Sequence, residues 1–210
     1  PGIDELAALL EIARAGKDPR FDSVVVDMAP TGHTLRMLEM PETLAALAQV
    51  FDRMQGKHRL MVEALTGTYV HDESDRIIAE IGREAQDLAA LLRDPAMARI
   101  SWVTLAEPMS VQETIAAAAA LARSAIPLAR LIVNRRTPRS PSPCRRCQAR
   151  RVVEHQSMVT LRNALPNLAA IEVTARTREP RGVKMLGGIG KEIAQPSTPD
   201  QRMHHRLPVR

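Results

Sequence analysis

FDSVVVDMAPTGHTLR, residues 21–36, is the stretch that decides the predicted fold. A short run of β-branched residues without polar alternation is typical of a strand buried on both faces of a parallel sheet, so we predict a strand at 23–27. The strand ends in Asp27, and the turn Pro30-Thr31-Gly32 leads into a helix. Ligands of open parallel sheets bind at the carboxyl ends of the strands. Asp27 therefore stands where a functional carboxylate is expected.

The hydrophobic spacing alternates between helical and extended segments along the chain. Ser110, with Glu113 three residues later, predicts a capping box that opens the fourth helix. The predicted helices are 3–15, 42–66, 74–93, 111–124, 145–165 and 182–194, and the predicted strands are 23–27, 100–105, 131–133 and 169–173. This alternation predicts an α/β fold with a doubly wound parallel sheet, from which a helical insert stands off.

Composition limits the classes of partner. The chain has a net charge of +5, and eight arginines but no acidic residue lie between Arg130 and Arg151. Aromatic residues make up only 2%, which disfavours nucleic-acid binding by stacking. We therefore expect no nucleic-acid partner, and RNA binding by the arginine run stays a weaker alternative. No apolar run is long enough to span a bilayer and no signal peptide is visible, so a cytoplasmic, non-transmembrane protein is expected.

Asp27 at the end of a buried strand suits phosphoryl transfer. A carboxylate placed there holds Mg²⁺ through water, because Mg²⁺ is a hard cation that keeps its waters. The turn that follows can respond to the loss of a γ-phosphate. The alternative from the residues alone is an aspartate that caps the following helix.

Residues 27–36 resemble the D-T-A-P-T-G-H-T-L-R signature of the ArsA family, matching nine of ten positions with Met28 in place of Thr. That family contains arsenite-pump ATPases and ATPases that target tail-anchored membrane proteins. Further resemblances follow in family order: residues 1–5, 107–114, 132–135, 143–147 and 179–182. The resemblance implies a partial P-loop NTPase fold of the deviant Walker type. The predicted organisation is a nucleotide-binding domain (1–40 and 98–195) with a helical insert (41–97), and the tail (196–210) is expected to be disordered from its own composition.

The resemblance also implies a set of site residues. Asp27 would be the switch aspartate near Mg²⁺, and Thr31, Gly32 and His33 would form the switch turn. Asn134 would contact adenine, because its amide offers both a donor and an acceptor. Thr174, Ala175 and Arg176 would form the adenine loop, although the family usually has Pro where Thr174 stands. Met28 removes a hydroxyl beside the switch aspartate.

The phosphate-binding loop of the family has no counterpart in these 210 residues. No Gly-Lys-Thr or Gly-Lys-Ser occurs, and Gly190-Lys191-Glu192 has the wrong third residue. The chain is therefore expected to be a fragment or one partner of a split protein. Without the phosphate cradle it should not hydrolyse ATP alone.

Cys144 and Cys147 are the two cysteines of the chain. A tetrahedral Zn²⁺ site needs four ligands, so a closed site would take two thiolates from each of two chains, which is the homodimer zinc site that the resemblance implies. A redox dithiol, favoured by the neighbouring arginines, and an inert pair are the alternatives.

Four methionines, Met37, Met40, Met54 and Met61, surround the start of the predicted insert. Adaptable Met side chains suit a groove for the apolar helix of a membrane-protein client or a membrane pump subunit, and ordinary core packing is the alternative. His33 could be a metalloid ligand, but a role in holding the switch turn is the simpler interpretation.

We therefore predict the C-terminal part of an ArsA-type ATPase that uses ATP and Mg²⁺ to handle cargo, by metalloid export or by targeting of tail-anchored proteins. The rival hypothesis is a redox-regulated, zinc-binding holdase that needs no ATP.

Overall fold

The computed structural model describes residues 3–28, 32–68, 73–139 and 144–194. Its elements, in chain order, are α1 (Ile3–Lys17), α2 (Gly32–Thr66), α3 (Glu73–Arg93), β1 (Ile100–Leu105), α4 (Pro108–Arg123), β2 (Leu128–Arg136), α5 (Arg145–Ala164), β3 (Ala170–Thr174) and α6 (Gly182–Ala194). The predicted α/β class is confirmed. The chain divides into two compact units, which we call the helical unit (Pro1–Arg99 and Ala119–Pro127) and the sheet unit (Ile100–Ala118 and Leu128–Arg210).

The described part of the sheet unit has three parallel strands in the order β1-β2-β3. The apolar run Leu131–Val133 is buried in the central strand, as its unbroken hydrophobicity predicts. Leu131 and Val133 form one core with side chains from α4 and α5, namely Val111, Met158 and Leu161. This core packs the two helices against the sheet, and it therefore fixes the position of the carboxyl ends of the strands relative to α4 and α5.

The start of α4 corrects one prediction. The helix begins at Pro108, a residue favoured at the first helical position, and Val111 N donates to the Glu107 carbonyl (2.9 Å). Ser110 therefore lies inside the first turn and is not the predicted N-cap. Its carbonyl oxygen is 2.7 Å from Thr114 Oγ1, which also lies 2.8 Å from Thr104 Oγ1 in β1. These buried hydroxyls join α4 to the first strand.

The end of α4 forms a Schellman motif without glycine. Ile126 N donates to the Leu121 carbonyl and Ala125 N donates to the Ala122 carbonyl, at 2.9 and 3.1 Å. Ala125 takes the left-handed conformation, with φ of 55°. Leu121 and Ile126 are buried, so an apolar contact accompanies the motif and offsets the strain of an alanine with positive φ.

The helical unit is dominated by the α2–α3 pair. Helix α2 is longer than predicted, with 35 residues, and it continues through the buried Pro41. The two helices approach closely at Gly82, where a Cβ atom would lie 3.0 Å from Ala48 Cβ. The buried Asp75 of α3 accepts from Arg59 Nη2 of α2 (3.4 Å). An alanine at position 82 would require Ala48 to give way by a few tenths of an ångström, so glycine suits this close approach.

The strand predicted at 23–27 is not formed. Residues 23–27 are irregular and exposed, and Val25 is 91% accessible. A strand exists only when a neighbour satisfies its backbone hydrogen bonds, and none of the described strands pairs with this segment. The pattern of valines identified a segment suited to a sheet, but no pattern can supply the partner.

Three further expectations concern the domain boundaries, the tail and membrane-spanning segments. The domain boundaries at 40/41 and 97/98 stay a prediction, and the tail 196–210 lies outside the described residues, as does Thr31. No helix in the described ranges is both long and apolar enough to cross a membrane.

Candidate functional site

Asn134 lies near the carboxyl end of the central strand, beside a backbone irregularity. Between Val133 and Arg136, β2 has one residue more than β3, which makes a β-bulge. Arg135 occupies the bulge with φ of 57°, a rare conformation for a residue with a side chain. Asn134 Oδ1 accepts from Arg135 N (2.8 Å), so a residue of the bulge holds the asparagine side chain. The bulge thus sets the direction of the asparagine amide.

The segment Thr174–Arg176 lies at the end of the adjacent strand. Thr174 pairs with Arg136 in the sheet register, and Ala175 N donates to the Arg136 carbonyl (2.9 Å). Glu192 of α6 holds the same segment: it accepts from Thr174 N (3.2 Å) and forms an ion pair with Arg176. The structure therefore brings Asn134 and Thr174–Arg176 to neighbouring strand ends. We call this edge the base edge.

A buried carboxylate, which sequence reasoning missed, lies beneath the base edge. Glu154 of α5 is 3% exposed. It accepts from Arg136 Nη1 (2.8 Å), from Thr137 N (3.1 Å) and Thr137 Oγ1 (2.6 Å), and from Arg150 Nε (3.2 Å). One signal was available, since Glu154 is the first acidic residue after the arginine run. A lone acid among arginines is a candidate for buried pairing.

The cysteine pair opens α5. Cys144 is the N-cap, and its Sγ accepts from Cys147 N (3.2 Å). The Cys147 thiol donates to Cys144 and lowers the pKa of Cys144, and the N–H groups of Cys147 and Arg146 and the charge of Arg151 lower it further. The same bond raises the pKa of Cys147. The helix start therefore favours one thiolate, at Cys144.

The switch segment belongs to the helical unit. Asp27 is exposed and Met28 is half-buried, both in irregular backbone, and Gly32 and His33 form the first turn of α2. The base edge lies in the sheet unit. Their assignment as a single site stays a prediction.

Residues 1–195 match the profile of the ArsA_ATPase family, described as anion-transporting ATPase. This match covers well over half of the chain. The chain belongs to the ArsA family.

Three relatives of this ArsA-family chain show the same kinship. ATPase GET3C of Arabidopsis thaliana is 30% identical over 212 residues, covering 92% of the chain and 52% of that protein. ATPase GET3B of the same plant is 29% identical, covering 92% and 49%. ATPase GET3 of Lachancea thermotolerans is 27% identical, covering 89% and 56%. The ArsA-family chain thus spans about half the length of these relatives.

Helix α2 of the ArsA-family chain exposes a row of large apolar side chains, which we call the α2 apolar surface. Their exposed fractions range from 42% to 81%, and the residues are Leu47, Val50, Phe51, Met54, Leu60, Met61 and Leu65. Met54 and Met61 therefore do not serve as core in the described structure, whereas Met37 and Met40 are half-buried. Contiguous apolar surface of this kind is typical of interaction sites on proteins.

The predicted zinc ligands are two thiols at one place in the structure. Cys144 and Cys147 supply two soft donors at the start of α5. Within the described ranges, no cluster of three or more His, Cys, Asp or Glu side chains could hold a metal ion. The donors present thus fit half of a tetrahedral thiolate site.

Proposed function

We propose that this chain forms the base-binding part and the switch segment of an ArsA-type ATPase. The observation that carries the proposal is the base edge, where Asn134 and Thr174–Arg176 occupy neighbouring strand ends. The carboxyl ends of parallel strands are where nucleotides bind in such sheets. The amide of Asn134 suits a purine edge, and the family relation makes adenine the expected base.

Asp27, with Thr31, Gly32 and His33, would act on the phosphate side of the nucleotide. An exposed carboxylate can hold the waters of Mg²⁺, and bound Mg²⁺ would neutralise the charge of the phosphates. The 210 residues contain no Gly-Lys-Thr or Gly-Lys-Ser to cradle those phosphates. We therefore expect weak ATP binding, on the order of millimolar, and no turnover by these residues alone.

The test is a titration of the isotope-labelled chain with ATP, followed by NMR, together with an assay of phosphate release. We expect shifts at Asn134–Arg136 and Thr174–Arg176, their loss in Asn134→Ala, and no phosphate release above background. Shifts that persist in Asn134→Ala, or that lie away from these strand ends, would reject the base edge. Steady hydrolysis of Mg-ATP by the pure chain would reject the claim of incompleteness.

The cysteine pair supports a zinc-linked homodimer as part of the same proposal. Cys144 and Cys147 would hold one half of a Zn²⁺ site, and a second copy of the chain would provide the other two thiolates. The lowered pKa of Cys144 favours metal binding, because only the thiolate is a ligand.

The α2 apolar surface supports an apolar helix as cargo. Its seven large side chains offer a site for the transmembrane segment of a client, or for a helix of a membrane pump subunit. Metalloid export is the weaker choice. The chain has no cysteines besides Cys144 and Cys147, so no further thiols are present to bind a metalloid. Work of either kind would take place in the cytoplasm.

A holdase that does not need ATP is the second candidate, favoured by one pair of observations. The thiolate-prone Cys144 could respond to oxidants, while the α2 apolar surface could bind unfolding proteins. Under this hypothesis mild peroxide should increase protection of an aggregating protein. Oxidised thiols without added protection would exclude it.

A further inference from the structure

We propose that Glu154 is a positioning residue for base recognition, an inference that rests on the proposed nucleotide site. Glu154 does not reach the base edge itself. Its two carboxylate oxygens accept hydrogen bonds from Arg136 and Thr137, which lie two and three residues after Asn134. Through these contacts Glu154 would fix the direction in which Asn134 faces a purine.

The first step of the argument is the strain at the bulge. Arg135 holds a left-handed conformation that costs on the order of 1 kcal/mol or more for a residue with a side chain, so surrounding contacts must impose it. Glu154 binds both the backbone N–H and the hydroxyl of Thr137, two residues beyond Arg135. The carboxylate thereby anchors the backbone on the C-terminal side of the bulge.

The second step is the immobilisation of Arg136. Its guanidinium donates to Glu154 Oε2 (2.8 Å) and to Glu172 Oε2 (2.7 Å), so carboxylates from α5 and β3 hold it. Glu172 also accepts from Arg162 Nη2 (3.0 Å). The backbone carbonyl of Arg136 accepts from Ala175 N (2.9 Å). One fixed residue thus aligns both halves of the base edge.

The third step concerns the cost of the buried charge. A buried ion pair is weak evidence of a contribution to stability, because apolar residues of similar volume often stabilise a protein equally well. Glu154 directs all its contacts to the ends of elements near Asn134 and to Arg150 on its own helix. The middle of the sheet is held instead by apolar packing of Leu131, Val133 and Met158. A role in geometry therefore explains Glu154 better than a role in stability.

The experiment compares adenosine with inosine, which lacks the exocyclic amine, as probes of the labelled 210-residue chain. In Glu154→Gln we expect adenosine affinity to fall on the order of fivefold to tenfold, because the contact with Asn134 is lost. We also expect the preference for adenosine over inosine to disappear. Glu172→Gln, which removes the charge of a half-buried partner of Arg136, should lower the adenosine affinity and the adenosine preference by a smaller factor. This second variant keeps the test possible if Glu154→Gln does not fold.

Two controls separate positioning from stability. Glu107→Gln is the matched control, because Glu107 is an exposed carboxylate that contacts Arg150 at 3.5 Å, and it should change neither quantity. Val111→Ala weakens the same core without touching the network, and it should lower the thermal midpoint while the adenosine preference persists.

The outcomes distinguish the two proposals. If the parent chain binds adenosine and Asn134→Ala abolishes binding, but Glu154→Gln keeps the wild-type preference, Glu154 is merely structural and this inference fails alone. The inference is also overturned if Glu154→Gln lowers the adenosine affinity no more than Val111→Ala does. If the parent chain shows no adenosine shifts at the base edge, the proposed function fails and takes this inference with it.

Discussion

At the scale of single residues, neighbours with the same side chain acquire different chemistry. Cys144 and Cys147 are three residues apart, yet the bond between them lowers the pKa of Cys144 and raises the pKa of Cys147. Glu154 and Glu107 are both glutamates that bind Arg150, yet one is buried and the other is half exposed. Position relative to a helix start or a strand end makes the difference in each pair.

The thiol pair gives a pH-dependent prediction. Because the pKa of Cys144 is lowered, its thiolate forms at a lower pH than that of an ordinary cysteine, and the thiolate of Cys147 forms at a higher pH. Alkylation by iodoacetamide, followed by mass spectrometry across pH, should therefore modify Cys144 first. In Cys147→Ala, which removes the thiol donor, the midpoint for Cys144 should move upward. Equal midpoints in the parent chain, or Cys147 reacting first, would contradict this order.

At the scale of elements, close packing and backbone pairing outweigh local propensity. Helix α2 continues through Pro41 although proline opposes a helix interior, and α6 forms although it contains Gly187, Gly188 and Gly190. The segment 23–27 has high strand propensity and stays irregular. Propensity thus describes what an element tolerates, while contacts with other elements decide what it becomes.

The α2–α3 contact gives a prediction with a matched control. Alanine replaces glycine favourably in a helix by about 1 kcal/mol, but at Gly82 the new Cβ meets Ala48 Cβ at 3.0 Å. Overpacking costs about 1–3 kcal/mol, so Gly82→Ala should lower the free energy of unfolding by ~1 kcal/mol. Gly56→Ala, on the same helix pair with nothing within 4 Å, should raise it.

Urea denaturation followed by circular dichroism measures both variants. Adding Ala48→Gly to Gly82→Ala should recover much of the lost stability, because it removes the opposing methyl group. If Gly82→Ala proves as stabilising as Gly56→Ala, the helices are not in the close contact described.

At the scale of the whole molecule, the net charge of +5 conceals two opposite units. The sheet unit has seventeen basic and seven acidic residues, and the helical unit has twelve basic and seventeen acidic residues. The attraction for anionic partners therefore belongs to the sheet unit, which also contains the base edge. The α2 apolar surface, proposed to hold apolar cargo, belongs to the acidic unit.

The zinc-linked homodimer is testable at this scale. Adding Zn²⁺ to the reduced chain should double its mass in sedimentation analysis and bind one metal ion per two chains, because each chain offers two thiolates. Cys144→Ser with Cys147→Ser should stay at the mass of one chain. One zinc ion per chain at unchanged mass would show that the ligands come from within a single copy.

The sequence alone was sufficient for the family, the α/β class and the placement of most elements. The helices at 3–17, 73–93 and 145–164 and the central strand around Leu131–Val133 agree with its hydrophobic periods. These features are local, because each depends on the spacing of residues within one segment. The assignment of Asn134, Thr174 and the cysteine pair to a site rests on residue order and resemblance, and it stays a prediction.

Only the tertiary structure decided how these segments use one another. It leaves 23–27 outside the described sheet, starts α4 at Pro108, places a bulge in β2 at Arg135 and buries Glu154 near the base edge. Each outcome depends on groups distant in the sequence: a partner strand, a helix packed on the sheet, or two arginines around a carboxylate. Backbone pairing and charge burial depend on the groups that fold against a segment from distant parts of the sequence. A local pattern of residues does not contain that information.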